Sequence, residues 1–147
     1  MTVVPMAERL LAALAEIEKA CFHAPWSESM LREELGKGLF LVAERDGQAV
    51  GYVGCQTVLD EGYITNVAVS PDCRRQGVAS ALIRALEQDV AAHGYTRAIL
   101  ETARTTDDSA ALYHKLGYRE IAYYGSPAGA ENCRCFEKML AVEESRT

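Results

Sequence analysis

Long apolar runs are missing from this 147-residue chain, and no stretch approaches the ~20 residues that a membrane-crossing helix needs. Near its start stand acidic Glu8 and no basic segment leading into an apolar run, so no secretory signal is expected. Basic charge is scarce as well. Fifteen Lys and Arg stand against 21 Asp and Glu, a formal net charge of −6. Affinity for a phosphate backbone rests on clustered Lys and Arg, so neither a nucleic acid nor a membrane is expected as a partner. Metal-ligand spacings are absent too. The five cysteines are scattered, and the close pair, Cys133 and Cys135, has one residue between its members, too few for a zinc site. His23, His93 and His114 are isolated, so no metal is expected. Unpatterned cysteines in odd number suit a reducing interior, and the expected location is cytoplasmic. Repeats, low-complexity tracts and linkers are lacking, which leaves residues 1–147 reading as one domain.

What is present is the composition of a packed protein, 49% hydrophobic and 24% charged. Leu10, Leu14, Ile17 and Cys21 recur at helical steps and predict an amphipathic helix from Glu8. Ala24-Pro-Trp-Ser27 breaks it, and Ser27 is placed to cap a short second helix that ends before Gly36 and Gly38. Strands are predicted over Phe40–Arg45 and Val50–Leu59, joined by the hairpin pair Asp46-Gly47, and over Tyr63–Val69. Ala79, Leu82, Leu86 and Val90 mark one face of a long helix, with Gly94 where a C-terminal cap belongs. A strand over Ala98–Glu101, a helix from Asp107 to Leu116 closed by Gly117, and strands near Tyr118–Tyr124 and Cys133–Leu140 complete the order. Hairpins mixed with helical crossovers imply an α/β (α+β) domain, a mixed sheet with helices on its faces.

One junction carries chemistry. Arg74-Arg-Gln-Gly-Val-Ala-Ser80 stands where the Tyr63–Val69 strand gives way to the long helix. Gly77 has no Cβ to hold a ligand off the backbone. The N–H groups from Gln76 to Ser80 face outward with the positive end of the helix dipole behind them, an anion site suited to a pyrophosphate. Arg74 and Arg75 add charge there. The plainer alternative is a glycine that starts a helix beside two solvated arginines. A P-loop would need Gly-Lys-Ser/Thr, and a dinucleotide fingerprint would need glycines where Val78 and Ser80 stand.

The run Asn66-Val-Ala-Val-x-Pro-x-x-Arg-Arg-Gln-Gly-Val-Ala79 resembles the cofactor motif of the GNAT-type N-acetyltransferases. Phe22-His-Ala-Pro-Trp-Ser27, Leu59-Asp-Glu-Gly-Tyr63 and Leu100-Glu101 … Ala111-Leu-Tyr-His-Lys-Leu-Gly-Tyr118 are similar to segments of the family's bacterial ribosomal-protein-alanine N-acetyltransferase branch. The resemblance spans roughly residues 8 to 124. It implies about seven strands flanked by about four helices, and acetyl-CoA as cosubstrate. It also implies that Val67, Ala68 and Val69 lie along the pantetheine arm as an added strand would. Arg75, Gln76, Gly77, Val78, Ala79 and Ser80 would hold the pyrophosphate.

Attack on a thioester requires a neutral amine, hence a base, and an acid to protonate the departing thiolate. By the resemblance Glu101 is that base and Tyr113 that acid. Read without it, Glu101 is a strand-end carboxylate facing water and Tyr113 an aromatic at the core rim. Trp26 is either a packing anchor or part of an acceptor wall. Three departures stand out. Ala103, with Arg104 beside it, stands where the branch usually has Arg. Thr106 replaces the Asn that contacts cofactor in the family, and Glu131-Asn-Cys133 replaces a Glu-Asp-Ala segment beside the acceptor.

The resemblance further implies a protein N-terminus as acceptor, the alanine of a small-subunit ribosomal protein. An α-amine (pKa ~8) is cheaper to deprotonate than lysine (~10.4) by ~3.3 kcal/mol, which agrees with a site holding a single water-linked Glu. Asp60, Glu61 and Glu101 either greet a basic polypeptide or are ordinary surface charges. The alternatives are a GNAT enzyme acting on a small amine or a lysine, and an acetyl-CoA-binding module without turnover.

Overall fold

The pair Asp46-Gly47 makes the first long-range commitment of the chain. Both residues adopt left-handed backbone, φ 53° and 78°, the geometry that lets a two-residue turn match the twist of the strands it joins. It links β2 (Leu39–Arg45) to β3 (Gln48–Val58), which in turn pairs antiparallel with β4 (Glu61–Val69). The computed structural model describes residues 1–59, 61–102, 107–122 and 134–140, without the side chains of positions 101, 102, 107 and 108. The remaining elements are β1 (Thr2–Pro5), α1 (Leu11–Cys21), α2 (Glu28–Glu33), α3 (Val78–Ala92), β5 (Arg97–Thr102), α4 (Asp107–Lys115), β6 (Arg119–Ile121) and β7 (Arg134–Met139). Short 3-10 turns precede α1 and α3.

The strands form one seven-stranded sheet in the order β1-β2-β3-β4-β5-β7-β6. Every pairing is antiparallel except β4 with β5. α1 and α2 cover one face, where Leu11, Leu14 and Leu31 share a core with Tyr52 of the sheet; α3 and α4 cover the other, where Leu82, Leu86 and Leu116 share a core with Leu100 and Phe136 of the sheet. The expected capping is in place: Ser27 Oγ accepts from the Met30 N–H at 3.1 Å. At the end of α4, Gly117 takes φ 98°. Its N–H donates to the His114 carbonyl at 3.0 Å and that of Tyr118 to the Tyr113 carbonyl at 2.9 Å, a paired bond set that stops a helix.

β1 was not expected from the sequence. Four residues ending in proline carry little strand signal, and Pro5 is tolerated because β1 is an edge strand. Its strand character comes from pairing with β2, Thr2 opposite Glu44 through Pro5 opposite Leu41. The other elements match their expected positions with shifted ends. β4 begins at Glu61 rather than Tyr63, and β6 is described only over Arg119–Ile121.

Candidate active site

The sheet opens between β4 and β5. Their parallel pairing runs from Glu61 opposite Arg97 to Ile64 opposite Leu100 and goes no further, although β4 continues to Val69 and β5 to Thr102. The cause lies on the other side of β4. Gly54 pairs with Asn66 and Cys55 with Ile64, so Thr65 is an extra residue, a β-bulge. A bulge bends its strand and increases its twist, and it carries the second half of β4 away from β5. It also exchanges faces: Ile64 packs in the core beneath α3, whereas Asn66 bonds to Tyr52, which packs beneath α1.

Past the bulge, β4 has an edge turned into the opening. The Ser70 N–H donates to the Val50 carbonyl at 2.8 Å. With the register Gly51–Val69 and Tyr52–Ala68, alternation turns the main-chain groups of Ala68 toward β3 and those of Val67 and Val69 into the opening. Of the expected pantetheine strand, Val67 and Val69 therefore offer backbone, and Ala68 is buried against α1. The Val69 carbonyl already accepts from Cys21 Sγ and from Arg74 Nε, both at 3.3 Å.

The anion loop follows directly. Gly77 caps α3 with φ 79°, and Arg75 is left-handed too, at φ 63°. Non-glycine residues rarely hold such angles. The first intrahelical bond is from the Ala81 N–H to the Gly77 carbonyl, 3.0 Å. The N–H groups of Val78, Ala79 and Ser80 therefore have no partner within the helix. The buried Val78 side chain anchors that turn in the core. Arg75, Gln76 and Gly77 are exposed, Ala79 and Ser80 half-buried. Apart from its chain neighbours, a Cβ added at Gly77 meets no protein atom within 4 Å, so the space beside that residue is open.

The two arginines of the loop divide. Arg74 turns back onto the protein, its Nη2 3.3 Å from Cys21 Sγ, and Arg75 faces solvent. Arg45, at the end of β2, donates to Gln76 Oε1. It brings a cation that sequence spacing did not indicate, since it lies 31 residues away along the chain.

Glu101 is the first β5 residue beyond the last pair with β4, and its backbone is opposite Cys135. Tyr113 is 3% exposed on α4. Its ring lies edge-on to Phe136 at 5.3 Å and to Tyr118 at 6.4 Å. Burial pushes its phenol up to about 12, a hydrogen bond with Ser109 pulling the other way. It thus stays protonated across the physiological range. Thr106, Asp60, Glu131 and Cys133 lie outside the described residues. Glu61 is committed to an ion pair, Arg97 Nη1 at 2.5 Å. Arg97 also contacts Glu137 at 2.6 Å, and Arg119 pairs with Glu137, holding that carboxyl below its usual range. Of the carboxylates considered for a basic partner, Glu61 already has a cation of its own.

The sequence pattern of the Acetyltransferase (GNAT) family matches residues 11–118, a range that contains the bulge, the open β4 edge and the loop around Gly77. The chain belongs to the GNAT acetyltransferase family. Among this acetyltransferase's relatives, the [ribosomal protein bS18]-alanine N-acetyltransferase of Haemophilus ducreyi is 34% identical over 122 residues, 80% of this chain and 84% of that one. The crystal structure of the ribosomal-protein-S18-alanine N-acetyltransferase from Escherichia coli superposes with a TM-score of 0.82 at 27% identity. The superposition covers 99% of this chain and 97% of that chain. The PaiA N-acetyltransferase of Thermoplasma acidophilum, solved in complex with coenzyme A, shares the fold at 16% identity. Its TM-score is 0.73, over 95% of this chain and 99% of that one. Among the described residues the GNAT domain has no cluster of three His, Cys, Asp or Glu able to hold a metal, and no helix long and apolar enough to cross a membrane.

Proposed function

We propose that this enzyme transfers the acetyl group of acetyl-CoA to the N-terminal α-amine of a protein, the N-terminal alanine of ribosomal protein bS18. The observation that carries the reading is the parting of β4 and β5 after Ile64 and Leu100, with the anion loop beyond one strand and Glu101 at the start of the gap on the other. The open edge at Val67 and Val69 suits an amide-bearing pantetheine arm. The unpartnered N–H groups of Val78 to Ser80, with Arg75 beside them, suit a pyrophosphate. The names of the relatives support the acceptor.

In the reaction the amine nitrogen attacks the thioester carbonyl carbon, and the carbon–sulfur bond breaks. Glu101, directly or through water, takes the proton that the amine loses. Tyr113 gives its phenolic proton to the departing sulfur, leaving an acetamide and CoA. A phenol near 12 facing a thiol of ~8.5 makes full transfer to a free thiolate uphill by ~5 kcal/mol. The proton must therefore move as the carbon–sulfur bond breaks, in a geometry fixed by the site. Thr106, which takes the sequence position of the Asn that contacts cofactor in the family, would serve as a shorter hydrogen-bonding group.

Acetyl-CoA turnover on two peptides tests this reading. One carries a free N-terminal alanine and no lysine; the other has a blocked N-terminus and one lysine. Turnover of the first alone is expected. Turnover of the second alone removes the N-terminal acceptor, and CoA binding without turnover of either marks a silent binding module.

A further inference from the structure

The buried stripe of α1 contains a charge: Leu11, Leu14, Ala15, Ile17 and Glu18. Glu18 is 0% exposed. A carboxylate in such a place is costly unless its oxygens are met by donors. Tyr52 Oη donates to Oε2 at 2.6 Å, and the Trp26 main-chain N–H donates to Oε1 at 2.9 Å. The chain of bonds continues. Asn66 Nδ2 donates to Tyr52 Oη at 3.1 Å, and Thr65 Oγ1 donates to Asn66 Oδ1 at 2.8 Å. Tyr52 and Asn66 are themselves buried. An unbroken line thus runs from the backbone of the segment after α1 to Thr65, the bulge residue at which β4 leaves β5.

A buried ion of this kind adds little net stability over an apolar packing, and one established use of such groups is to fix a single arrangement. The arrangement fixed here joins the segment 22–27 to the mouth of the gap. The cofactor side has a tether of its own, because Cys21 and Arg74 hold the end of α1 to the Val69 carbonyl.

We propose that Glu18 is a positioning residue for the acceptor. Acting through Tyr52 and Asn66, it holds the segment around Trp26 at a fixed place relative to the β4 bulge, so that this segment forms a rigid wall for the first residues of the acceptor polypeptide. The inference rests on the gap between β4 and β5 being the transfer site.

Two variants test it. Glu18→Gln keeps shape but puts an NH2 donor in place of one acceptor oxygen, so one of the two donors, Trp26 N–H or Tyr52 O–H, then faces a donor unless the tyrosine hydroxyl turns round to accept. Tyr52→Phe cuts the line at its middle and leaves the Trp26 bond intact. In both, KM for the alanine peptide is expected to rise at least fivefold, with kcat within threefold and CoA Kd within twofold of wild type. Trp26 is the chain's one tryptophan, so acrylamide quenching of its emission reports on the segment without any substrate, and Glu18→Gln should increase it. Unchanged peptide KM in both folded variants overturns the proposal. Equal losses of peptide and CoA affinity also overturn it, since they mark a general structural defect. Where wild type acetylates no N-terminal peptide, the acceptor reading fails, and quenching alone decides for Glu18: an unchanged value in Glu18→Gln refutes its hold on the segment.

Discussion

Gly77 and Gly94 stand at opposite ends of α3 with nearly the same backbone, φ 79° and 86°, and a Cβ added at either meets nothing within 4 Å. Replacing either with alanine therefore imposes the same strain and no collision. The left-handed conformation costs a residue with a Cβ about 1–2 kcal/mol, which lowers Tm by roughly 2–8 °C in a domain of this size. Affinity for CoA should separate the two. At Gly77 the methyl is added at the turn that carries the N–H groups of Val78, Ala79 and Ser80, the proposed pyrophosphate cradle, and both the methyl and the strained turn should disturb it. Loss of one charge-assisted hydrogen bond is worth about 1.5–3 kcal/mol, or roughly ten- to hundredfold in Kd. Gly94 is at the far end of the helix and should leave Kd unchanged. Thermal unfolding and isothermal titration with CoA, run on both variants, give the comparison. Wild-type CoA affinity in Gly77→Ala, or an equal loss in Gly94→Ala, would refute the assignment of the loop.

The mechanism and the buried tyrosine give further expectations. Tyr113→Phe keeps the ring contacts with Phe136 and Tyr118, so kcat should fall about a hundredfold with CoA Kd within twofold; unchanged turnover would remove Tyr113 from proton transfer. The raised phenol of Tyr113 also makes stability depend on alkaline pH. Below pH ~10 both states hold the proton, and between ~10 and about 12 the unfolded chain loses it first, so stability falls as pH rises. From pH 9 to 11 this amounts to ~1.3 kcal/mol, and urea unfolding of Tyr113→Phe should lose that much less than wild type over the interval. Equal losses would contradict the burial argument.

Features that local chemistry dictates were legible in the sequence. Asp46-Gly47 could only be a tight turn, Ser27 an N-cap, Gly77 and Gly117 the limits of helices, and each is so in the fold. β1 was not legible because its four residues become a strand only against β2. The bulge at Thr65 has no local signature: it is a mismatch of register between two strands, and it decides where the sheet opens. Which of Val67, Ala68 and Val69 turn their main chain into the opening also follows from that register, which separates two residues with a free edge from one that packs. Glu18 left a trace, a charge four residues after Leu14 on the apolar stripe, but its meaning depends on Tyr52, 34 residues away. Arg45 left none, since only the packing of β2 beside the anion loop brings it to Gln76.

The reaction and its acceptor are tested together by isotope. Incubating the enzyme with carbon-13-labelled acetyl-CoA and unacetylated small-subunit ribosomal proteins, then locating the label by tandem mass spectrometry, reads the acceptor atom directly. Label on the N-terminal alanine amine of bS18 is the predicted result, and label on lysine side chains, or on no protein, would contradict it.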